Sequence, residues 1–270
     1  MGPETDDRLP LREMIWNSRV AEFLKESGYV IVAFSSGVGG TEMKDADIFI
    51  TPRSFLSEFE NLLLNTTPIP LLLNRVPEKS QYDLHRDRLL YVFEHLADMA
   101  DLDAPVFVFA HILAPHRPFI FGENGEKLEP DGKFSFGDGT KYIGKDKYVE
   151  KYRNQLIFVN KKIQMAINKI ISKSSEPPII ILQADHGSGL YWYRLDKIAF
   201  KERMSILNAY YLPGSGDKEL YDGITPVNTF RVIFNHYFGT DLEILEDKCY
   251  FSTWRHPYKF IDVTDETNTD

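Results

Sequence analysis

The sequence predicts an α/β fold, because short apolar runs typical of strands alternate with helical patterns. Residues 179–182 (Ile-Ile-Ile-Leu) follow two prolines and precede Asp185-His186-Gly187, as in a buried strand of a parallel sheet. Residues 105–110 form a second such run, and residues 29–34 form a third that follows a helical pattern across Gly28. The expected architecture is therefore built on a mostly parallel central sheet.

Composition limits the classes of function. The chain has 270 residues, 43% of them hydrophobic, which is enough for one large domain or two small ones. Its net charge of -9 argues against binding to nucleic acid or to an anionic membrane surface. The single cysteine, Cys249, excludes an intrachain disulfide and a cysteine zinc cluster. The longest apolar stretch, residues 29–34, is far shorter than the roughly 20 residues of a membrane-spanning helix, so we expect a soluble chain.

The ends of the chain differ from its middle in composition. Residues 1–13 are polar and acidic, so they are expected to form a flexible leader without the features of a signal peptide. Residues 14–264 are expected to form a single domain, and residues 265–270 a disordered tail.

The first helical pattern starts at Ile15, and Gly28 is its expected C-cap. The strand that follows leads into a loop, residues 35–41, that matches neither the P-loop nor the dinucleotide-binding fingerprint. Three hydroxyl groups of this loop are possible nucleophiles: Ser35, Ser36 and Thr41. No activating base adjoins them in the sequence, so a flexible loop is the favoured interpretation.

A short strand is expected at residues 47–50, and Thr51-Pro52 should start a helix. The apolar residues of that helix recur at helical spacing: Phe55, Phe59, Leu62 and Leu63. A charged amphipathic helix is expected over residues 85–99. We interpret its two histidines, His85 and His95, as solvated or surface groups, because neither has a partner at i±4.

The second half of the chain continues the alternation. Residues 120–147 show no periodicity and predict a surface loop or a lid, whereas residues 148–172 carry the apolar stripe of a long helix. The aromatic residues within 190–194 could line a substrate pocket or pack on a neighbouring loop. A strand, a helix and an aromatic segment packed on the core are expected to follow, at residues 205–213, 226–238 and 249–262.

Two strand ends carry the candidate functional residues. His111, His116 and Arg117 follow the strand 105–110, where two imidazoles and a guanidinium would suit an oxyanion. The alternative is a pair of histidines whose rings are satisfied by the backbone of a proline-containing turn. Asp185 and His186 follow the other strand, where a carboxylate and an imidazole suit a divalent transition metal; the alternative is a capping Asp and a surface His.

Three stretches resemble the later half of a sulfatase-like domain of the alkaline-phosphatase superfamily, which also holds the phosphoethanolamine transferases and the lipoteichoic-acid synthases. They are Ala110-His-Ile-Leu-Ala-Pro-His-Arg-Pro-Phe119, Tyr152-Arg-Asn-Gln-Leu156 with Asn160, and Ile181-Leu-Gln-Ala-Asp-His-Gly187. Their order and approximate spacing agree with the family from about residue 15 to residue 262.

The resemblance implies a mixed, mostly parallel central sheet with helices on both faces, and a divalent metal at the strand ends. By match, Asp185 and His186 are the metal ligands, for Mn, Zn, Mg or Ca. His111, His116 and Arg117 would bind the oxyanion or leaving group of a phosphate or sulfate ester, carried by a small molecule, a lipid or a glycan.

The chain departs from the family at its N-terminal side. No acidic residue follows an N-terminal strand and no Cys-x-Pro-x-Arg motif is present, so no catalytic nucleophile is assigned. We expect an incomplete catalytic unit with little or no turnover, part of a longer protein anchored on the extracytoplasmic face of a membrane. The alternatives are a degenerate, non-catalytic module that binds an anion or a partner and, more weakly, an unrelated α/β protein of structural role.

Overall fold

The α/β class expected from the sequence is confirmed. A computed structural model of the chain describes residues 2–52, 79–191 and 193–267, the side chain of Tyr142 excepted. Within these residues, helices alternate with one parallel three-stranded sheet and two antiparallel pairs of strands. The chain forms two compact units: a first of residues 1–14, 137–152 and 167–270, and a second of residues 15–136 and 153–166.

The described elements are bounded as follows. The α-helices are α1 (Leu9–Trp16), α2 (Arg19–Glu26), α3 (Gln81–His95), α4 (Lys145–Lys173), α5 (Lys197–Met204), α6 (Pro226–Phe238) and α7 (Thr264–Thr267). The strands are β1 (Val30–Phe34), β2 (Ile48–Ile50), β3 (Val106–Ala110), β4 (Ile180–Gln183), β5 (Asn208–Tyr211), β6 (Tyr250–Thr253) and β7 (His256–Asp262). Short 3-10 helices cover Leu96–Asp101, Thr140–Tyr142 and Gly216–Glu219.

The three-stranded sheet of the second unit has the order β2-β1-β3, and its strands are parallel. The central strand β1 is almost completely buried from Ile31 onwards, as expected for a strand paired on both sides. Phe34 is in register with Ile50 on one side and with Ala110 on the other. The strands therefore end together, and the chain leaves all three at the same edge of the sheet.

The apolar core of the second unit joins α3, α4 and the segment that follows the 111–118 turn. Its buried members are Tyr82, Leu89, Phe93, Ile120, Phe121, Phe158 and Val159. Ile120 and Phe121 show that the stretch 120–147, predicted to lie on the surface, begins inside the core. Ile120 and Phe121 are buried because their side chains pack against α3 and α4.

The prediction that His85 is a solvated or surface histidine is wrong. His85 is 1% exposed, because it lies three residues after Tyr82 and four before Leu89, on the buried stripe of α3. Its charged neighbours in the sequence belong to the other faces of the helix. His95, by contrast, is partly exposed and lies 2.8 Å from the carboxylate of Asp98, as expected of a surface histidine.

The strand predicted at residues 179–182 forms, but its pairing differs from the prediction. In the described part of the chain, β4 pairs with β5 and the pair is antiparallel, with Ile180 opposite Tyr211. Its side chains are half-buried, and Gln183 is exposed. A short apolar run predicts a strand without predicting the direction of its partner, since periodicity reports only which faces are covered.

The C-terminal aromatic segment forms an antiparallel hairpin of β6 and β7. Phe251 packs on Phe200 with ring centroids 5.2 Å apart, as expected of a segment on the core. Trp254 at the turn is 75% exposed and Phe260 is largely exposed, so for these residues the expectation is wrong. Four consecutive residues of β7, 259–262, are exposed, so both faces of this half of the strand are uncovered.

Helices occupy parts of both predicted ends: α1 begins at Leu9, inside the expected leader, and α7 covers the start of the expected tail. The helix predicted after Thr51-Pro52 lies outside the described residues. The division of the chain into leader, single domain and tail stays a prediction. None of the described helices combines the length and apolar composition needed to cross a bilayer.

Candidate functional site

Asp185 and His186 of the first unit converge at the end of β4. Nδ1 of His186 lies 2.8 Å from the backbone oxygen of Gly187, which can only accept, so this nitrogen carries the hydrogen. The other ring nitrogen, Nε2, lies 3.6 Å from Oδ2 of Asp185. That separation is long for a hydrogen bond but suits two atoms that face one cation. The Asp185 side chain is 71% exposed, so the pair is accessible to an ion.

The glycine after His186 is required by the close approach of another segment. A methyl group on Gly187 would overlap the backbone oxygen of Glu202. The amide of Gly187 donates to the backbone oxygen of Arg203 at 2.7 Å. The Asp-His-Gly turn is therefore held against the C-terminal end of α5 by a backbone contact that only glycine permits.

A buried tyrosine anchors the same turn from α4. Tyr148 is almost fully buried, and its hydroxyl accepts from the amide of Gly189 at 2.9 Å and donates to Oδ1 of Asp138 at 3.0 Å. Burial and the nearby Asp138 carboxylate raise the pKa of Tyr148 far above its ordinary value. The hydroxyl stays protonated, so it can fill both hydrogen-bonding roles at once.

Two charged residues of α5 complete this framework. The Arg203 guanidinium donates to the backbone oxygen of Gly187 at 3.3 Å and lies 3.7 Å from Oδ2 of Asp138. The Glu202 carboxylate accepts from the Ser188 hydroxyl and, at 3.2 Å, from the amide of Tyr191. The turn that carries Asp185 and His186 thus rests on side chains from outside the motif.

The aromatic residues after the turn have different surroundings. The Tyr191 hydroxyl accepts from Lys145 at 3.1 Å, which supports packing on neighbouring residues. Tyr193 is largely exposed, and Trp192 lies outside the described residues. Throughout the described ranges, no group of three or more His, Cys, Asp or Glu side chains is placed to hold a metal ion.

In the second unit, a hydroxyl and an imidazole meet at the edge where the parallel strands end. Thr41 Oγ1 lies 2.8 Å from Nδ1 of His111, and Ser36 Oγ lies 3.1 Å from Thr41 Oγ1. The sequence offered these hydroxyls without a base beside them. The structure supplies an imidazole from a position 70 residues further along the chain.

A carboxylate and a guanidinium shape the loop that carries these hydroxyls. Glu42 accepts from the Ser35 hydroxyl at 2.7 Å and from the amide of Gly37 at 3.0 Å. Burial opposes ionisation, yet these two hydrogen bonds lower the pKa of Glu42 below its ordinary value. The Arg88 guanidinium packs against Gly37, where a side chain would overlap it.

The 111–118 turn, which follows β3, contains two cis proline bonds, Ala114-Pro115 and Arg117-Pro118. Nδ1 of His116 lies 2.5 Å from the backbone oxygen of Arg117, as in the alternative of a backbone-satisfied histidine. Arg117 is 4% exposed, so its guanidinium lies beneath the surface. Of the two imidazoles in this turn, His111 therefore has a side-chain partner and His116 a backbone one.

Two further basic side chains of the second unit, the buried His85 and the partly buried Arg88, lie on α3. Desolvation by burial, together with the charges of Arg88 and His116, lowers the pKa of His85 to about 4, so the ring is neutral. Among the described residues, neither ring nitrogen of His85 has a hydrogen-bond partner of ordinary geometry. Burial also lowers the pKa of Arg88. The sequence contained a signal that His85 and Arg88 lie together, because they are three positions apart and therefore share a face of α3.

The candidate residues are thus divided between the two units: Asp185 and His186 belong to the first, and His111, His116 and Arg117 to the second. A family model described as Sulfatase matches residues 13–235. No curated protein and no solved structure matches the chain.

Proposed function

Because the chain belongs to the sulfatase family, we propose that it binds a divalent metal ion and the tetrahedral oxyanion of a sulfate or phosphate ester. Its reaction class would be metal-dependent ester hydrolysis or transfer. The observation that carries the proposal is the convergence of Asp185 Oδ2 and His186 Nε2, 3.6 Å apart, after β4. Phosphate and sulfate share the tetrahedral oxyanion on which the proposal rests.

The donor set fits two positions of a metal site. A carboxylate oxygen and an imidazole nitrogen are ligands that Zn²⁺ and Mn²⁺ accept, and the hydrogen bond from Nδ1 to Gly187 is the outer contact that usually orients a ligating histidine. When bound, the metal supplies Lewis-acid polarisation of an ester oxygen. The chain's own part is to hold the pair, through the Tyr148 and Glu202 contacts to the following turn.

The oxyanion would be bound by the second unit. His111 stands at the carboxyl edge of the parallel sheet, where open α/β sheets bind ligands. His116 follows it in the same turn, and we assign the buried Arg117 guanidinium to a supporting role through its positive charge. The expectation that the domain belongs to a longer, membrane-anchored protein stays a prediction.

A second candidate function is a non-catalytic module that binds an anion. It is favoured by the lack, within the described ranges, of a third acidic or imidazole group placed to complete a metal site with Asp185 and His186. Such a module would bind sulfate or phosphate with the same affinity in the presence and absence of metal.

The test is a calorimetric titration of the chain with Mn²⁺ and Zn²⁺, beside Asp185→Asn and His186→Ala. The expected result is micromolar binding that both substitutions abolish. His95→Ala is the matched control, since His95 also lies beside a carboxylate, that of Asp98, on the surface of α3. Binding lost equally in the control would assign the signal to scattered surface sites.

Titrations with inorganic sulfate and phosphate, with and without Mn²⁺, test the oxyanion part. Hydrolysis of p-nitrophenyl sulfate and p-nitrophenyl phosphate then separates an enzyme from a binding module. A parent chain that binds neither metal would contradict the metal assignment. Anion binding without metal binding or hydrolysis would support the second candidate.

A further inference from the structure

The register of the parallel sheet brings two distant loops together. Because Phe34 is opposite Ala110, the next residues, Ser35 and His111, leave the sheet side by side at its carboxyl edge. The loop after Ser35 then turns back, and its Thr41 hydroxyl reaches Nδ1 of His111 at 2.8 Å. The contact between Thr41 and His111 is thus a product of the topology.

The first donor in the hydrogen bonds of this loop is a backbone amide, which sets the donor and acceptor roles of the groups after it. The amide of Val38 can only donate, and it donates to Ser36 Oγ at 3.0 Å. Ser36 Oγ lies 3.1 Å from Thr41 Oγ1, so the Ser36 hydroxyl can donate a hydrogen bond to that oxygen. The Thr41 hydroxyl then has its shortest contact with Nδ1 of His111.

The competing acceptor is the backbone oxygen of Val38, and it is the weaker one. It already accepts from the amide of Thr41 at 2.9 Å. It lies 3.2 Å from the Thr41 hydroxyl and 3.3 Å from that of Ser36, longer than the 2.8 Å contact to His111. An imidazole nitrogen with a lone pair is therefore the favoured acceptor for Thr41.

The loop is rigid enough to keep this arrangement. Ser36 is 2% exposed, so its hydroxyl exchanges little with solvent. The Glu42 carboxylate holds the Ser35 hydroxyl and the Gly37 amide, one on each side of Ser36. We call the chain of hydrogen bonds from Val38 through Ser36 and Thr41 to His111 the relay. It is fixed at its start by the backbone amide of Val38 and at Ser36 by burial.

We propose that Ser36 and Thr41 are positioning residues that keep His111 as the neutral tautomer with its hydrogen on Nε2, so that His111 donates this hydrogen to an oxygen of a sulfate or phosphate ester. The inference rests on the proposed function for the identity of the ligand. Ester and sulfate oxygens only accept, so the opposite tautomer would turn a lone pair towards the anion and repel it. A donor that needs no protonation works above the ordinary pKa of histidine, about 6.5.

The first experiment reads the tautomer directly. Two-bond ¹H–¹⁵N correlation spectra of the full ¹⁵N-labelled chain at about pH 8, where histidine is neutral, report which ring nitrogen of each histidine carries hydrogen. His111 is expected to be the Nε2–H form. His186 is the internal reference, because its contact with Gly187 predicts the opposite form, Nδ1–H. The His111 signals are assigned by their loss in His111→Gln.

Two substitutions of Thr41 test the relay. Thr41→Val keeps the shape and removes the hydroxyl, so it should give a mixture of His111 tautomers and weaken binding of inorganic sulfate by about tenfold, the value of one strong hydrogen bond. Thr41→Ser keeps the hydroxyl and should retain both properties. Circular dichroism of each variant confirms that the comparison is between folded proteins.

The outcomes separate this inference from the proposed function. A wild-type His111 in the Nδ1–H form would overturn the relay, whatever the chain binds. Sulfate binding that Thr41→Val leaves unchanged would overturn the relay and leave the oxyanion site standing. The expected tautomer without any binding of sulfate or phosphate would overturn the donor role of His111 and, with it, the oxyanion part of the proposed function.

Discussion

Replacing Gln155 by leucine should destabilise the second unit strongly. Gln155 is 0% exposed, and its Oε1 accepts from the amides of Ile120 and Phe121 at 2.8 and 3.2 Å. Its Nε2 donates to the backbone oxygen of His116 at 3.1 Å. Leucine has nearly the same volume, so the substitution leaves two buried amides and one carbonyl without a partner while changing the packing little.

The magnitude follows from these three groups. A buried polar group left without its partner costs about 1 to 3 kcal/mol. Partial relaxation of the turn reduces the sum, so we expect a loss of about 3 kcal/mol or more for Gln155→Leu. Urea unfolding at neutral pH should show this loss as a midpoint lowered by about 1 to 2 M.

The control is Gln164→Leu, an exposed position on the same helix, which should change stability by less than about 0.5 kcal/mol. Sulfate binding by Gln155→Leu should weaken as well, because the substitution releases the backbone of His116. A loss of stability below about 1 kcal/mol, with sulfate binding intact, would show that the turn is held by other contacts and would refute this reasoning.

Three further outcomes are expected. Because burial lowers the pKa of His85 from 6.5 to about 4, the unfolded chain takes up this proton at a higher pH than the folded one. The contribution of the neutral His85 ring to the free energy of unfolding is therefore complete above pH 6.5 and falls by about 3 kcal/mol as the pH drops to 4. Urea unfolding measured at each pH should show a correspondingly smaller loss of stability for His85→Leu. Tyr148→Phe should lower the free energy of unfolding by about 1 to 3 kcal/mol and weaken Mn²⁺ binding in calorimetry, because the amide of Gly189 loses its acceptor. Tyr193→Phe, which changes an exposed ring, should do neither. Gly187→Ala should cost about 1 to 3 kcal/mol in thermal unfolding and weaken Mn²⁺ binding, since the new methyl meets the backbone of Glu202; an unchanged melting temperature would contradict the close approach.

The elements predicted best from the sequence are those with recognisable start and stop residues. The helix expected at residues 226–238 forms with those limits as α6, because Thr225-Pro226 starts it and Gly239, at φ 66°, ends it. The pairing of β4 was beyond the same method. Its partner β5 is separated from it by α5, and the direction in which the chain returns is decided by tertiary packing.

The candidate site divides in the same way. Asp185, His186 and His111 could be proposed as candidates because each lies within three residues of the end of an apolar strand, which is a local signal. The pairing of His111 with Thr41 could not, because it depends on the register of two strands far apart in the sequence. His85 was misplaced because charged neighbours concealed its position on the apolar stripe of α3.

The supports of the two turns share a physical cause that a sequence can reveal. A turn at a strand end leaves backbone amides that no ladder satisfies, and a buried turn needs a polar side chain to accept them. In each unit this acceptor comes from α4: Tyr148 for the amide of Gly189, and Gln155 for those of the segment after His116. Glutamine at a buried helical position is rarely explained by packing alone, since its amide must be satisfied. A polar residue within the apolar stripe of a helix therefore predicts a loop that the helix holds, and substitutions there should disturb binding at residues that the motifs alone would assign.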